Sequence, residues 1–328
     1  MRTLALDIVA TRGSRVESRH AVHAAVTTAD GTLVASAGDA DLLAHWRSCA
    51  KPFQVLPFVE SGGFGALGWG DAELALACAS HGGEPEHVAL AASMLRSLGL
   101  EEGDLACGAH EPLTARGARL LREQGRHPSR LHNNCSGKHS AMLAAARAGG
   151  WPTLGYELPT HALQLMLRRS LARWTGLDDG AEDVATDGCG VPVFILGLRQ
   201  MATAYARLAA ASSHEEAARQ VLDAMATHPF LVGGTDRFDT VLMEDTDGAV
   251  IAKVGAEGVH SVLIRERGIG LAIKVTDGNP RAQYPAVLRA LQQLDALPAI
   301  LPGRLQDILV TPVRDTRGNV VGEIRPAA

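Results

Sequence analysis

Hydrophobic and polar residues follow a strand-like pattern near both ends of the chain and a helical spacing in between. Near the start, two β-compatible runs flank Asp30-Gly31, a dipeptide typical of a hairpin turn. Strands at the two ends can share one sheet on which helices pack, so the pattern predicts an α+β or α/β sandwich with a mixed or antiparallel sheet. The predicted strands are residues 20–26, 32–36, 249–254, 258–265, 270–275 and 319–325.

Apolar residues at helical spacing dominate from residue 50 to about residue 230. Because no repeat, low-complexity tract or linker interrupts the sequence, we expect residues 1–328 to form a single catalytic unit. That unit can be subdivided into a sheet-rich part, residues 1–50 plus 235–328, and a helix-rich part, residues 51–234. The predicted helices are residues 72–79, 84–98, 140–148, 161–174, 193–210, 214–227 and 280–294.

Composition and charge narrow the class of protein. With 46% hydrophobic residues the chain can bury a sizeable core, and a net charge of −5 argues against a nucleic-acid binder. The apolar run at residues 191–198 is far shorter than the roughly 20 residues that cross a bilayer. Asp7 interrupts any signal-peptide core, so we expect a cytoplasmic protein. Five cysteines do not make a disulfide framework, which leaves buried, reactive or metal-bound thiols.

Ser48 and Lys51 form the first candidate for catalysis. On a helix this spacing puts both side chains on one face, where a lysine amine of lowered pKa can take the proton of a serine hydroxyl. Ser-x-x-Lys is also the acylation motif of penicillin-recognising serine hydrolases. The alternative is structural, with Ser48 as an N-cap and Lys51 as a solvated lysine of the first turn.

Ser80 begins a second candidate, because it is followed by His81, Gly82 and Gly83 at the end of an apolar helix. Glycines permit close approach of the backbone, and exposed amides there could bind an oxyanion. The alternative is a helix C-cap with a polar end.

A third group of residues has the chemistry of a metal site. Cys135 and Lys138 enter an alanine-rich helix with a spacing that lets them converge, and Cys189 stands between two glycines on irregular backbone. Together these three could bind a metal that keeps water in the fourth position, with Asp187 orienting that water. Alternatively, Asn134 caps the helix, Cys135 is buried and inert, and Lys138 is solvated.

Two lysines near the C-terminal strands are further candidates. Lys253 precedes Val254 and Gly255, which resembles the Lys-Thr-Gly motif of penicillin-recognising enzymes without its hydroxyl. Lys274 lies in a related cluster one hairpin later. Either lysine could instead be a charge at a strand edge that prevents aggregation.

Taken in order, these segments closely resemble the class 3, rhizobial-type L-asparaginases, also called the asparaginase II family. Five ordered motifs are far more specific than any one of them, and they run over most of the chain. The matching stretches are residues 47–53, 78–83, 134–139, 187–192 and 253–259, with residues 274–278 also similar.

The resemblance implies a fold like that of serine β-lactamases and glutaminases, a homodimer, and hydrolysis of L-asparagine to L-aspartate and ammonia. It further implies two serine–lysine pairs beside a zinc ion. Val254 departs from the hydroxyl residue often found in related sequences, which keeps Lys274 as an alternative to Lys253. The implied residues are the pairs Ser48 with Lys51 and Ser80 with Lys253, and the zinc ligands Cys135, Lys138 and Cys189.

Arg47 and His139 flank these groups and are expected, with Asp187, to contact the substrate; the first two would bind its α-carboxylate. The attacking serine and the role of Cys49 stay open. Two other functions also stay open, namely another serine hydrolase of the penicillin-recognising type and a non-catalytic metal-binding protein.

Overall fold

The computed structural model describes residues 1–178 and 183–327. Strands lie near both ends of the chain, and each strand predicted from the sequence is present with bounds shifted by at most a few residues. The strands are β1 (Arg2–Thr3), β2 (Ile8–Arg12), β3 (Arg15–His20), β4 (Val22–Thr27), β5 (Leu33–Ala37), β6 (Leu43–His45), β7 (Asp183–Thr186), β8 (Pro192–Gly197), β9 (Val250–Val254), β10 (Val259–Ile264), β11 (Ile269–Val275), β12 (Thr311–Arg314) and β13 (Val320–Pro326).

Strands from the two ends of the chain share sheets, as predicted. The six-stranded sheet has the order β1-β5-β4-β11-β10-β9, in which β1 is parallel to β5 and the pairs β4–β5, β4–β11 and β10–β11 are antiparallel. The four-stranded sheet has the order β12-β13-β2-β3, and its pairs are antiparallel. A third sheet contains the antiparallel pair β7–β8. The mixed α/β fold expected from the sequence is therefore confirmed.

Helices fill the middle of the chain, and further helices follow the strands near its end. The helices are α1 (Lys51–Glu60), α2 (Gly63–Ala66), α3 (Asp71–Ala77), α4 (Pro85–Ser97), α5 (Ala115–Glu123), α6 (Ser136–Ala148), α7 (Ala162–Thr175), α8 (Leu198–Ala211), α9 (Glu216–Thr227), α10 (Pro229–Val232), α11 (Phe238–Asp245), α12 (Pro280–Gln293) and α13 (Gly303–Leu309).

The helix predicted over residues 193–210 is wrong in its first part, which forms strand β8. Residues 193–196 are a continuous apolar run, and such a run fits a buried strand as well as a buried helix. Gly197 ends the strand, and α8 begins at Leu198.

The chain divides into two compact units. The sheet unit consists of Met1–Cys49, Leu196–Ala210 and Ala252–Ala328, and the helix unit consists of Ala50–Ile195 and Ala211–Ile251. Whether the whole chain acts as a single catalytic unit stays a prediction. Within the described part of the chain, no helix is both long and apolar enough to cross a membrane.

Close packing in the sheet unit depends on a glycine in its largest sheet. Helix α12 packs on β10, β11 and β13, and α8 also approaches β11. A Cβ atom at Gly270 of β11 would lie 1.9 Å from the carbonyl oxygen of Ala202 in α8. Only glycine therefore permits this separation of helix and strand.

Helix α6 is the centre of the helix unit. All of its residues from Ser136 to Ala146 are buried, and it packs against α1, α3, α4 and α7. A helix that is buried on every side needs small or apolar residues all round, which explains its run of alanines. Its first turn carries several of the residues that the sequence analysis selected.

Candidate active site

Ser48 lies in a 3-10 helix, Arg47–Ala50, that runs directly into α1. Arg47 has a φ angle of 50°, in the left-handed region that non-glycine residues rarely occupy. Strain of this kind costs on the order of 1–3 kcal/mol and is concentrated at functional sites. Both Arg47 and Ser48 are half-buried. The pairing of Ser48 with Lys51 stays a prediction.

Lys51 is buried as the first residue of α1, and its amine has three recorded acceptors. Its Nζ atom donates to the carbonyl of Ala79, to the hydroxyl of Ser80 at 3.1 Å and to the carbonyl of Asn134 at 3.4 Å. The solvated lysine of the alternative interpretation is therefore excluded. The structure brings Lys51 together with Ser80, a pairing that the sequence analysis did not predict.

Ser80 follows the end of α3 in a loop that the backbone fixes. The apolar helix ends at Ala77, and the amide of Ser80 donates to the carbonyl of Val232 in α10 at 3.0 Å. The amide of Gly83 donates to Nδ1 of His81 at 3.1 Å. The prediction that the glycine amides bind an oxyanion is therefore wrong at Gly83, because the amide of Gly83 already donates its hydrogen bond to His81.

A close contact holds the start of α6 against the end of α3. A Cβ atom at Gly137 would lie 2.3 Å from the carbonyl oxygen of Leu76. The absence of a side chain at Gly137 thus allows Cys135 and Lys138 to approach the loop that carries Ser80. No local pattern in the sequence indicates that this glycine is needed for packing.

Cys135, Asp187 and Cys189 form a buried or half-buried cluster in the helix unit. One ligand atom from each residue lies within 4.8 Å of the others. Cys135 is the N-cap of α6, and Asp187 and Cys189 lie in the turn between β7 and β8. Nζ of Lys138 is 3.0 Å from Sγ of Cys189, which in turn lies 3.3 Å from a carboxylate oxygen of Asp187. The predicted convergence of Cys135, Lys138 and Cys189 is therefore seen.

The two thiols of this cluster are electrostatically different. The hydrogen bond with Cys189 lowers the pKa of Cys135 well below its ordinary value, and the nearby amines of Lys51 and Lys138 act in the same direction against burial. The same bond and burial raise the pKa of Cys189. Burial opposes the charge of Lys138, but Cys189, Cys135 and Asp187 outweigh it and raise its pKa. These shifts favour a thiolate at Cys135 beside an ammonium group at Lys138.

This donor set fits a metal ion. Thiolate sulfur, a lysine amine and a carboxylate oxygen converge from one helix turn and one loop. Sulfur and nitrogen donors with a possible oxygen suit a borderline-soft divalent ion such as zinc. Asp187 is predicted to orient the metal-bound water, whereas in the structure its carboxylate belongs to the same group of ligand atoms as the two thiols, all within 4.8 Å of one another.

His139 follows Lys138 on α6 and is fully buried. Its Nδ1 atom lies 2.6 Å from the hydroxyl of Tyr156, while its Nε2 atom is buried with no hydrogen-bond partner among the described residues. Burial lowers the pKa of His139 well below its ordinary value, and Lys138 and Lys51 add to this effect. The ring is therefore neutral, so any contact with a carboxylate would be made by an uncharged N–H group.

A buried polar network supports the loop after Ser80. Nε2 of His81 pairs with the hydroxyl of Ser136 at 2.9 Å, and the ring of His81 stacks on His87. The carboxylate of Glu84 accepts from the backbone and hydroxyl of Thr235, both at 2.8 Å. These contacts tie the loop to α6 and to the segment before α11. From the sequence, His81 is interpreted only as part of a helix end, and no pattern there points to Glu84 or His87.

Lys253 lies on β9, at the edge of the six-stranded sheet, and is fully buried. Its Nζ atom donates a hydrogen bond to the carbonyl of Val254 at 3.0 Å. The backbone carbonyl of Lys253 accepts a hydrogen bond from the thiol of Cys49 at 3.0 Å. The alternative interpretation of Lys253, a charge at a strand edge that prevents aggregation, is therefore wrong, because the side chain is fully buried. Nζ of Lys274 is half-buried against the carbonyls of its own strand end. The pairing of Ser80 with Lys253 stays a prediction.

Comparison with protein families decides the class of this chain. Residues 8–326 match the family described as L-asparaginase II. The chain belongs to the L-asparaginase II family. Membership supports L-asparaginase activity, the hydrolysis of the side-chain amide of asparagine, and agrees with the resemblance found in the sequence.

Solved structures and curated proteins add less. A β-lactamase from Mycobacterium bovis matches with 14% identity and a TM-score of 0.43, covering 84% of this chain and 96% of its own. Mglu in its native form matches with 18% identity and a TM-score of 0.38, covering 90% of this chain and 69% of its own. No curated protein gives a significant match. Because both structural similarities are distant, function is inferred from the family and the site.

Proposed function

We propose that the protein hydrolyses L-asparagine to L-aspartate and ammonia by serine–lysine chemistry beside a zinc site. The observation that supports this most strongly is the contact between the Lys51 amine and the Ser80 hydroxyl, next to the cluster of Cys135 and Cys189. The family supplies the substrate, and the cluster supplies a second group of reactive side chains close to the first.

The chemistry requires a base for a serine hydroxyl. Lys51 would first lose one of the protons that it donates to Ala79, Ser80 and Asn134. As the free amine it would then take the proton of Ser48 or Ser80, and the serine Oγ would attack the side-chain amide carbon. The carbon–nitrogen bond then breaks as the lysine gives the proton to the departing nitrogen. Ammonia is released, and the substrate remains bound to the serine as an acyl-enzyme ester. Water hydrolyses this ester to aspartate. Lys253, with Lys274 as the alternative, is the second proposed base.

Substrate binding is assigned to polar groups near these residues. Arg47, held in a strained conformation directly before Ser48, would bind the α-carboxylate by charge-assisted hydrogen bonds. His139 would add an uncharged donor, for the reasons of burial given above. Asp187, whose carboxylate lies at the thiol cluster, is the third proposed contact.

Cys135, Lys138 and Cys189 would hold the zinc ion. When bound, zinc would position the substrate and add a positive charge that favours the neutral form of nearby lysines. Lys138 ligates a metal only as the free amine, so metal binding must displace its proton. The negative groups around Lys138 raise its pKa, so protons compete with the metal for this amine, and the competition is stronger in acid.

A homodimer and a cytoplasmic location, which the sequence analysis also predicted, remain proposals. Light scattering coupled to size-exclusion chromatography tests the first, and a mass of one chain would contradict it. Fractionation of the source cells tests the second.

Ammonia release tests the proposed activity. The purified protein should release ammonia from L-asparagine, and the variants Ser48→Ala and Ser80→Ala should show how far each hydroxyl is needed. Release by wild type no faster than by Ser48→Ala and Ser80→Ala would contradict the proposal. Turnover of nitrocefin without turnover of asparagine would favour a penicillin-recognising hydrolase. Zinc-dependent thermal stabilisation without any amide turnover would favour a metal-binding protein.

A further inference from the structure

The hydroxyl of Tyr156 contacts both the backbone and His139, and its hydrogen can go in only one direction. The amide N–H of Ala106 donates to the hydroxyl oxygen at 2.9 Å, and Nδ1 of His139 lies 2.6 Å from the same oxygen. Among the residues that the structure describes, Nδ1 of His139 is the other polar atom within hydrogen-bond distance of this hydroxyl, and it can accept the phenolic hydrogen. A buried hydroxyl that donates to nothing is costly, so the hydrogen points at Nδ1.

This direction fixes the tautomer of His139. A neutral imidazole has one N–H donor and one acceptor nitrogen. Since Nδ1 accepts from Tyr156, the proton of the ring is on Nε2. That atom is buried and has no partner within residues 1–178 and 183–327. The protein therefore holds a buried donor that its own described groups do not satisfy.

The position of this unsatisfied donor is stiffly held. His139 lies within the first turn of α6, directly after Lys138, whose amine contacts Cys189. The ring of Tyr156 meets the ring of His139 edge-on at 5.6 Å, and Gln164 of α7, itself buried, donates to the carbonyl of Tyr156 at 2.8 Å. Buried donors are nearly always satisfied in native proteins, so an unsatisfied one in such a rigid setting indicates a missing ligand.

We propose that Tyr156 is a positioning residue that fixes His139 as the Nε2–H tautomer, and that this N–H donates to the α-carboxylate of the amino-acid substrate. This assignment deepens the proposed function and rests on it for the identity of the substrate. The donor costs folding free energy when its site is empty, and the substrate carboxylate regains that energy on binding. The effect belongs to substrate affinity, because the carboxylate is the same in the ground state and the transition state.

The tautomer can be observed directly. Nitrogen-15 chemical shifts of labelled histidine distinguish a protonated ring nitrogen from an unprotonated one, and the His139→Gln variant identifies the His139 signals by their loss. In wild type, Nε2 of His139 should be protonated and Nδ1 should not. In Tyr156→Phe, which keeps the ring but removes the hydroxyl, the two tautomers should mix.

His87 is an internal reference for this spectrum. Its Nδ1 accepts from the backbone of Glu84 at 3.3 Å and its Nε2 lies 2.9 Å from the carbonyl of Phe230, so it is held as the same tautomer by backbone alone. Its signals should not change in Tyr156→Phe. A change confined to His139 separates loss of the hydroxyl from general loosening of the fold.

Two substitutions at His139 test the donor itself. The amide nitrogen of Gln reaches the position of Nε2, whereas that of Asn reaches only the position of Nδ1. Calorimetry with L-aspartate, which carries the α-carboxylate, measures affinity without any turnover. We expect His139→Gln to bind within a few-fold of wild type, and His139→Asn and Tyr156→Phe to bind about tenfold more weakly, as for loss of one buried hydrogen bond. KM for asparagine should follow the same order while kcat changes little.

The outcomes are distinct. An unchanged tautomer in Tyr156→Phe, or equal aspartate affinity for His139→Gln and His139→Asn, would overturn the inference. Failure of the wild-type protein to bind aspartate would also overturn it. If the wild type binds aspartate but releases no ammonia from asparagine, the proposed reaction fails, and the aspartate affinities of the variants still decide the role of Tyr156.

Discussion

The amine of Lys51 lies 3.1 Å from the hydroxyl of Ser80, although the first begins α1 and the second lies beyond the end of α3. The same amine contacts the carbonyl of Asn134, the residue before Cys135. Lys51 thus joins the segment that carries one candidate nucleophile to the segment that begins the metal cluster.

This contact predicts that Lys51 and Ser80 act as a unit. Replacing Lys51 by Met preserves apolar volume but removes the base, so kcat for asparagine should fall by about 10²–10⁴-fold. The double variant Lys51→Met/Ser80→Ala should be little worse than the more damaging single variant, because residues of one catalytic unit are not additive. Ammonia-release kinetics measure each value. If the loss of kcat in the double variant equals the product of the losses in the two single variants, the two side chains act independently.

The thiol cluster predicts zinc binding that depends on Cys135 and Cys189. Equilibrium dialysis should find a zinc ion that is lost in Cys135→Ser and Cys189→Ser. Cys107→Ser is the matched control, because this buried thiol lies outside the ligand cluster and burial raises its pKa to about 12. Equal zinc binding by Cys135→Ser and Cys107→Ser would contradict the assignment.

Acid should weaken zinc binding. A metal needs Cys135 as thiolate and Lys138 as free amine, and protons compete for both groups. Because the pKa of Lys138 is raised, the metal must displace a proton from this amine at every pH between 8 and 6. The affinity for zinc should therefore fall steadily as the pH falls from 8 to 6. Zinc affinity measured by competition with a chelator checks this. A flat profile would indicate that Lys138 is not a ligand.

Gly137 should tolerate no side chain. In Gly137→Ala the new Cβ would meet the carbonyl oxygen of Leu76 at 2.3 Å, and such overpacking typically costs about 1–3 kcal/mol. Gly65→Ala is the control, because nothing lies within 4 Å of a Cβ atom there. Urea unfolding compares the two variants. Zinc affinity should also fall in Gly137→Ala, since the start of α6 must move away from α3.

We expect the folded protein to lose stability in mild acid because of two buried histidines, His81 and His87. Burial lowers the pKa of His81 and of His87, and for His87 this effect outweighs the opposing effects of Glu84 and Glu86. Below the ordinary value of 6.5 the unfolded chain takes up protons that the folded chain does not, so the free energy of unfolding falls as pH falls. Each histidine contributes a slope of about 1.4 kcal/mol per pH unit. The charged and titratable groups around them are Lys51, His132, Arg237, Glu84, Glu86 and Arg116.

Urea unfolding from pH 8 to pH 5 measures this slope. His87→Gln should reduce it by about one proton, whereas His110→Gln, at an exposed position, should leave it unchanged. Stability that is constant down to pH 5 would show that the rings of His81 and His87 accept protons in the folded state.

Local patterns predict about half of the strands and helices but not the contacts that make the site. The strand runs and the alanine-rich part of α6 are local properties, and both are found where the sequence predicts them, although α6 begins at Ser136 and not at residue 140. The convergence of Cys135 with Cys189 was proposed from chemistry, because nothing in their spacing fixes it. The contact between Lys51 and Ser80 depends on how α1 and α3 pack against each other, and a local stretch of sequence does not determine that packing.

Other parts of the site have no local signal. Tyr156 lies between elements and far from any motif, so only the folded chain shows that it contacts His139. Gly137 is one glycine among 35, and its necessity follows from the carbonyl of Leu76 alone. Strand β8 was mistaken for helix because an apolar run buried on both sides carries no periodicity.

A crystal structure with L-aspartate bound tests the central claim most directly. The account predicts that the side-chain carboxyl carbon lies about 3–3.5 Å from the Oγ atom of Ser48 or Ser80, the separation of a reactive pose. The α-carboxylate should then contact Nε2 of His139. Aspartate bound with its side-chain carboxylate out of reach of both serines would contradict serine catalysis in this protein.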